Sequence, residues 1–437
     1  MWGGVMVAKP HVVILGAGFG GLKAAKSFAG EDVTGTVVDK RNHHLFQPLL
    51  YQVATAGLSA TDIAAPIRNI LATQENCTVL LGRATAIDPK AQTMTLDTGE
   101  GNVELTYDAL IVACGMTNTY FGHDEWQDAA PGLKSLEEAL DIRRRVLLAF
   151  EAAERIDDAD ARLAHLTFVV IGGGPTGVEL AGAVSEIARL TMMKNFRRFD
   201  PSEARVLLLE GGARLIASFP EELSAYAREE LGELGVDVRL MTMAKDVDRN
   251  GVTLVKKGEP DERILARTVL WAAGVSGVPI AKALGVPLVR GGRVEVDPEL
   301  RVKGLENVFA IGDIAYLVQD GEPLPGVAQV AIQGGKRAAD NVIRTFEGRS
   351  LVPFRYKNLG EMATIGRSRA VALVGNMRMT GMLAWLAWLF VHLMALVGFR
   401  NRIIVLLEWA WAYMSFQKSA RIILDAPVAP VAKAKAP

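Results

Sequence analysis

What constrains this chain most is a pattern that it contains twice. Residues 11–15 (HVVIL) form a short apolar run. GAGFGG follows at 16–21, then a helical pattern over 22–28, a second apolar run at 35–38 and an acid, Asp39. In order this is strand, glycine loop, helix, strand, acid, the layout of a dinucleotide-binding βαβ unit. The glycines have separate jobs. Gly16 permits the tight turn, Gly18 lets backbone approach a pyrophosphate, and Gly21 lets helix pack close on strand. The helix N-terminus turns N–H groups and positive dipole towards phosphate. Asp39, about 20 residues on, suits a ribose hydroxyl.

The same order returns downstream. Residues 166–171 are apolar, GGGPTG occupies 172–177, a helix runs from Val178, and a strand at 205–209 ends at Glu210. Glycine loops starting at 16 and 172 are too far apart to repeat within one site, so the chain carries an internal duplication. Here Gly172, Gly174 and Gly177 play the glycine roles. Glu210 stands where Asp39 stands in the first copy. A carboxylate there accepts from both ribose hydroxyls and repels a 2′-phosphate, which favours NADH over NADPH; nearby Arg214 carries the opposite charge. Glu179 lies two residues past Gly177. It reads either as a first-turn acid stabilised by the helix dipole or as a carboxylate at the nicotinamide end of the bound cofactor. Glu186, further along the helix, is expected to be solvated.

Between and after the copies lie smaller signals. Residues 42–59 (NHHLFQPLLYQVATAGLS) read as an apolar core connection, and 137–156 as a charged amphipathic helix that connects domains. YDALIVACG at 107–115 and VLWAAG at 269–274 are strands that end in glycine turns. In 307–335 an apolar run ends at Gly312-Asp313, where glycine lets backbone and acceptor come close to a polar cofactor. A Gly/Pro-rich loop then leads to a helix with Gln329 and Gln333, four apart and so on one face.

Composition narrows the rest. A length of 437 with half the residues hydrophobic allows a large core. A net charge of −1 gives no case for nucleic acid. The only cysteines, Cys77 and Cys114, form no CxxC, so neither a redox dithiol nor a thiolate metal site is indicated, and the six scattered histidines make no ligand pattern. No metal is expected. The N-terminus has no secretory apolar core, so a cytosolic start is expected. The C-terminal segment differs from everything before it. Residues 382–399 carry no formal charge, four of seven tryptophans (385, 388, 409, 411) lie here, and 376–437 sums to +5 against −6 for the remainder. Such a segment seeks an anionic membrane surface. Eighteen residues at ~1.5 Å each give about 27 Å, nearly a span. The following apolar stretch, 403–416, is shorter and carries Glu408, and a single span would place basic residues outside. Two helices lying in or dipping into the interface are therefore expected, with a span or a buried hairpin as alternatives.

On these residues the chain resembles the type II NADH dehydrogenases, single-subunit NADH:quinone oxidoreductases of bacterial membranes. The carriers are VVILGAGFGGL, NHHLFQPLLYQVAT, VVIGGGPTGVELAG, VFAIGDIA, VAQVAIQGG, MATIGRSRAV and GFRNRIIVLLEWAWAY. The resemblance implies non-covalent FAD held by Gly16, Gly18, Gly21 and Asp39, with Gly312 and Asp313 at its ribityl and phosphate region. It implies NADH held by Gly172, Gly174, Gly177 and Glu210, with Glu179 near nicotinamide and flavin. Gln329 and Gln333 match a pair of quinone-site glutamines. It further implies membrane lipid and a membrane quinone as partners, a homodimer, and a peripheral, monotopic place on the cytoplasmic face of the bacterial inner membrane. Cys114 departs from the family, which often has threonine there.

The expected fold class is α/β: two Rossmann-like dinucleotide-binding domains, as in two-dinucleotide flavoproteins, plus C-terminal membrane-associating helices. The expected domains are a discontinuous FAD domain (1–125 and 295–375), an NADH domain (160–294), a membrane-associating segment (376–425) and a flexible tail (426–437). The expected activity is NADH oxidation through FAD with quinone reduction and no proton pumping, since no multi-helix path with internal ionisable groups is visible. Two alternatives stand beside it. One is another quinone-reducing flavoprotein of this fold. The other is a flavin-bound, NADH-responsive redox sensor whose tail docks a partner.

Overall fold

The computed structural model describes residues 9–193, 195–415 and 420–423. The flexible tail expected from residue 426 lies outside them. The chain divides into two compact units. The first comprises 1–45, 64–117 and 275–359; the second comprises 46–63, 118–274 and 360–437. The expected domain bounds differ from this division. Residues 46–63, 118–125 and 360–375 cluster with the second unit, as does the segment from 376, and 275–294 cluster with the first.

In the first unit, β1 (His11–Leu15), the helix α1 (Phe19–Ser27) and β2 (Thr34–Asp39) form the first βαβ unit. Five parallel strands are ordered Val308–Ala310, Ala109–Val112, β1, β2, Cys77–Leu81. The central runs are apolar because both faces are covered there; Val12, Val13, Ile14, Val37, Leu110 and Phe309 are fully buried. The glutamine-bearing helix, Ala328–Phe346, packs on α1 through two facing glycines. A Cβ on Gly335 would lie 2.3 Å from the Gly20 carbonyl oxygen. Nothing larger than glycine fits that crossing.

The second unit repeats the design. Its sheet is ordered Val236–Leu240, β4 (Arg205–Glu210), β3 (Thr167–Ile171), Thr268–Trp271, again parallel. The short helix α2 (Leu50–Ala54) comes from the stretch read as a core connection. The helix after the second loop is α3 (Pro175–Glu186), continued by a π-helical turn, Ile187–Thr191. The strand β5 (Glu361–Gly366) crosses α3 at Gly182, where a Cβ would lie 1.7 Å from the Ile365 carbonyl oxygen. This packing is why residues 360–375 belong with the second unit.

The amphipathic helix expected at 137–156 is Leu136–Arg155, capped by Ser135 Oγ accepting from Glu138 N–H. The two C-terminal helices are α4 (Gly381–Ala395) and α5 (Phe399–Ser415). Among the described residues no helix is long and apolar enough to cross a membrane.

Candidate functional site

Both glycine loops are built by the same contacts. In the first, Gly16 has φ +105° and its N–H donates to Val38 O at 2.7 Å. In the second, Gly172 has φ +113° and its N–H donates to Leu209 O at 2.8 Å. A Cβ on Gly21 or Gly177 would come within 1.8 Å of the carbonyl oxygen of Gly16 or Gly172 respectively. The middle glycines differ: beside Gly18 and Gly174 a Cβ would meet nothing within 4 Å. The tight glycines thus fold the loop, and the open ones leave space for a ligand's phosphates. Each of α1 and α3 starts at its middle glycine without a side-chain cap, so the first-turn N–H groups take no side-chain partner. These residues fit two dinucleotides.

The two acids are held alike. Asp39 accepts from Ala17 N–H at 2.7 Å and from Arg41 N–H at 2.8 Å. Glu210 accepts from Gly173 N–H at 2.7 Å and from Gly212 N–H at 2.6 Å. Each carboxylate has about four lone-pair sites. Two brace the loop, and the others can receive ribose hydroxyls. Arg214 donates to the carbonyls of Phe219 and Ala217, both at 2.8 Å, which ties it to its own loop. At the end of the strand Val308–Ala310, Gly312 has φ +71° and lies against Ala331. The Asp313 carbonyl accepts from Arg293 Nε at 3.1 Å, and its carboxyl faces Gly326.

Glu179 lies on a cavity of about 140 Å³ within the second unit. Aromatic side chains make much of the wall: Tyr51, Trp385, Trp388, Trp409 and Tyr413. Trp388 packs 5.7 Å from Trp409 and 6.5 Å from Tyr51, ring centre to ring centre. Among the described residues the Glu179 carboxylate accepts one hydrogen bond, a long one from Thr364 N–H at 3.4 Å. With little bulk water around it, desolvation pushes this carboxyl up to about 8, against a slight opposing pull from Thr364 N–H. The raised value favours the neutral form, which can donate a hydrogen bond. Both readings of Glu179 place it in the first turn of α3, and there it borders the cavity. The expectation for Glu186 is corrected. It lines the same cavity and accepts from Arg367 N–H at 2.5 Å, because β5 crosses α3 beside it.

Gln329 and Gln333 sit half-buried on one helix face in the first unit, as their spacing implied. Both reach the segment before β5. Gln329 Oε1 accepts from Leu359 N–H at 3.0 Å. Gln333 accepts from Lys357 N–H at 3.0 Å and donates to Lys357 O at 2.9 Å, in the manner of a strand partner. The cysteines are unreactive by environment: burial pushes Cys77 up to about 11 and Cys114 up to about 12, and neither is in a disulfide.

Sequence reasoning missed the cavity's other polar groups, chiefly Tyr51, Gln52 and Thr364. Their signal lay in two stretches quoted for the resemblance, NHHLFQPLLYQVAT and MATIGRSRAV. Polar residues inside apolar runs need partners when buried, and that need was the available clue.

Comparison with known proteins gives the family and the fold. Residues 10–335 match the pyridine nucleotide-disulphide oxidoreductase family, and 358–417 match the NDH2 C-terminal domain. The type II NADH:quinone oxidoreductase NdhA of Mycobacterium tuberculosis is 45% identical over 92% of this chain and 87% of its own length. The type II NADH:quinone oxidoreductase Ndh of the same organism is 42% identical over 95% and 90%. NDH2 from Plasmodium falciparum, solved in complex with NADH, superposes with a TM-score of 0.88 at 20% identity, covering 95% of this chain and all of that one. The chain therefore belongs to the type II NADH:quinone oxidoreductase family.

Proposed function

We propose a division of labour for the reaction of this family. The enzyme oxidises NADH through FAD and reduces a quinone, without pumping protons. Bound FAD supplies the redox step, taking a hydride from NADH and passing two electrons on. In the first unit Gly16, Gly18, Gly21 and Asp39 hold the ADP half of FAD, with Gly312 and Asp313 at its ribityl and phosphate region. In the second unit Gly172, Gly174, Gly177 and Glu210 hold NADH. Quinone needs two protons as well as two electrons; the protonated Glu179 donates one, water delivers the other, and water then returns a proton to Glu179.

The observation that carries this reading is the Glu179 carboxyl on an aromatic-walled cavity. At about 140 Å³ the cavity is close in size to an engineered apolar cavity of about 150 Å³ that accepts benzene. One quinone ring is the fitting occupant. Gln329 and Gln333 serve quinone reduction too, by fixing residues 357–359. The test separates the half-reactions under anaerobic conditions, with NADH added first and a soluble quinone second. Glu179→Gln is expected to slow the quinone step about 10²-fold or more. Gln333→Ala is expected to slow it less. Both should keep most of the flavin reduction by NADH; equal loss in the two steps would refute these roles.

Membrane attachment belongs to the same proposal. On α4 and α5 large apolar side chains face outward: Leu383 is 73% exposed, Phe390 66%, Phe399 76% and Leu407 63%. Arg400 and Arg402 lie in the first turn of α5. This is the composition of helices that lie in a membrane interface. The cytoplasmic face of the inner membrane and assembly as a homodimer are carried over from the resemblance as parts of this reading.

A further inference from the structure

A file of hydrogen bonds runs from the surface helix α5 to Glu179, and its direction is fixed by one residue. Trp409 Nε1–H donates to Gln52 Oε1 at 2.7 Å. Indole nitrogen is a donor only, so Gln52 presents its oxygen to α5 and its NH₂ to the other side. There Nε2 donates to the Tyr51 hydroxyl oxygen at 3.0 Å. With its oxygen accepting from Gln52, the Tyr51 O–H turns to Thr364 Oγ1, 2.9 Å away. Thr364 N–H is the group that faces the Glu179 carboxylate. Every link lies in the second unit.

We propose that Trp409, Gln52 and Tyr51 are positioning residues for Glu179, through which the seating of α5 sets how firmly Thr364 N–H is held against the carboxylate. The inference deepens the reading of Glu179 as proton donor and rests on it for its catalytic meaning. The relay conducts no proton, because indole and amide N–H groups do not release one. It transmits geometry. The other titratable or charged groups on the cavity are Glu186 on the same helix, Arg367 after β5 and Tyr413 on α5. Arg367 lies over the Tyr413 ring, 4.0 Å from its centre, and donates to the Tyr413 carbonyl, so it too clamps α5.

The test is a double-substitution cycle on the FAD-loaded, full-length enzyme. Its readout is infrared titration of the Glu179 carboxyl, assigned by the band lost in Glu179→Gln. Trp409→Phe keeps a ring and deletes the N–H; Tyr51→Phe deletes only the hydroxyl. Each is expected to raise the carboxyl's midpoint by about half a pH unit, since a bond that favours the ionised form is loosened. The pair should shift no further than Tyr51→Phe alone, because both cuts fall in one file. Gln52→Met cuts the middle link and replaces either variant that fails to fold. Unmoved midpoints, or shifts that add, overturn the relay. The infrared readout needs no quinone. If quinone reduction survives Glu179→Gln while the midpoints still move together, the proton-donor reading falls and the relay stands.

Discussion

The two glycine loops share backbone contacts, open middle glycines and doubly held acids, yet one of the positions at which they differ changes the charge. Two residues past the third glycine stands Lys23 in the first copy and Glu179 in the second. Lys23 is half-exposed, and its Cβ side packs on Gly335 of the glutamine helix. Glu179 lies against β5 on a cavity and holds its proton to about 8. The neighbour makes the difference. A helix covers α1, while α3 is crossed by a strand whose Thr364 N–H and flanking aromatics surround the acid. The two copies share a nucleotide cradle and differ in what is laid against it.

The sharpest way to break this comparison is to damage the matching glycines. Gly21→Ala places a Cβ where a backbone oxygen stands at 1.8 Å, which costs about 3 kcal/mol or more. It is expected to yield protein without bound flavin, seen as loss of the visible flavin absorbance. Gly177→Ala is as crowded, yet it should keep its flavin and lose NADH-driven flavin reduction by on the order of 10²-fold. Flavin loss in both would show that the copies do not divide the two nucleotides.

The next effect in size concerns the proton on Glu179. Its folded-state pKa is raised from 4.5 to about 8. Stability from its neutral form is therefore full below 4.5 and falls as pH rises towards 8. Glu179→Gln should melt higher than the parent at pH 8, with the gap closing towards pH 5. A constant gap would mean that the carboxyl titrates normally. The quinone half-reaction of the parent should also decline above about pH 8. For Glu210→Gln the expectation is smaller, about a tenfold rise in the NADPH-to-NADH rate ratio as repulsion of the 2′-phosphate is removed. Smallest is Lys23→Glu. It should change stability by less than about 1 kcal/mol and leave rates alone, since Lys23 is half-exposed; a new pH dependence would show that position alone, not its cover, makes the chemistry.

Local patterns carried much of this into the sequence. The loops, their acids and the helix at Leu136–Arg155 were legible because turns, caps and periodicity are set within a few residues. Glu179 was half legible: its place in the first turn was plain, but its proton depends on β5, which lies some 185 residues later. Glu186 was misjudged for the same reason. Gln333 was found by its spacing, but the two-way pairing with Lys357 was not, since nothing local marks a backbone partner. Tyr51 and Gln52 sat in a run that resembles any buried connection, and their partners come from beyond residue 360.

The chain passes between the two units five times, and this bears on how such a protein can be cut or inherited. No contiguous fragment contains either unit without segments of the other. The C-terminal helices are not a removable float either, because Trp385, Trp388 and Trp409 form walls of the cavity that holds Glu179. Trimming them would take these cavity walls with them. Charged replacements on the outward face, at Leu383 or Phe390, leave the walls in place and are expected to weaken the proposed membrane attachment. For the same reason a descendant of this chain could change its outward face by a few surface substitutions, but could not lose the helices without losing the walls around Glu179.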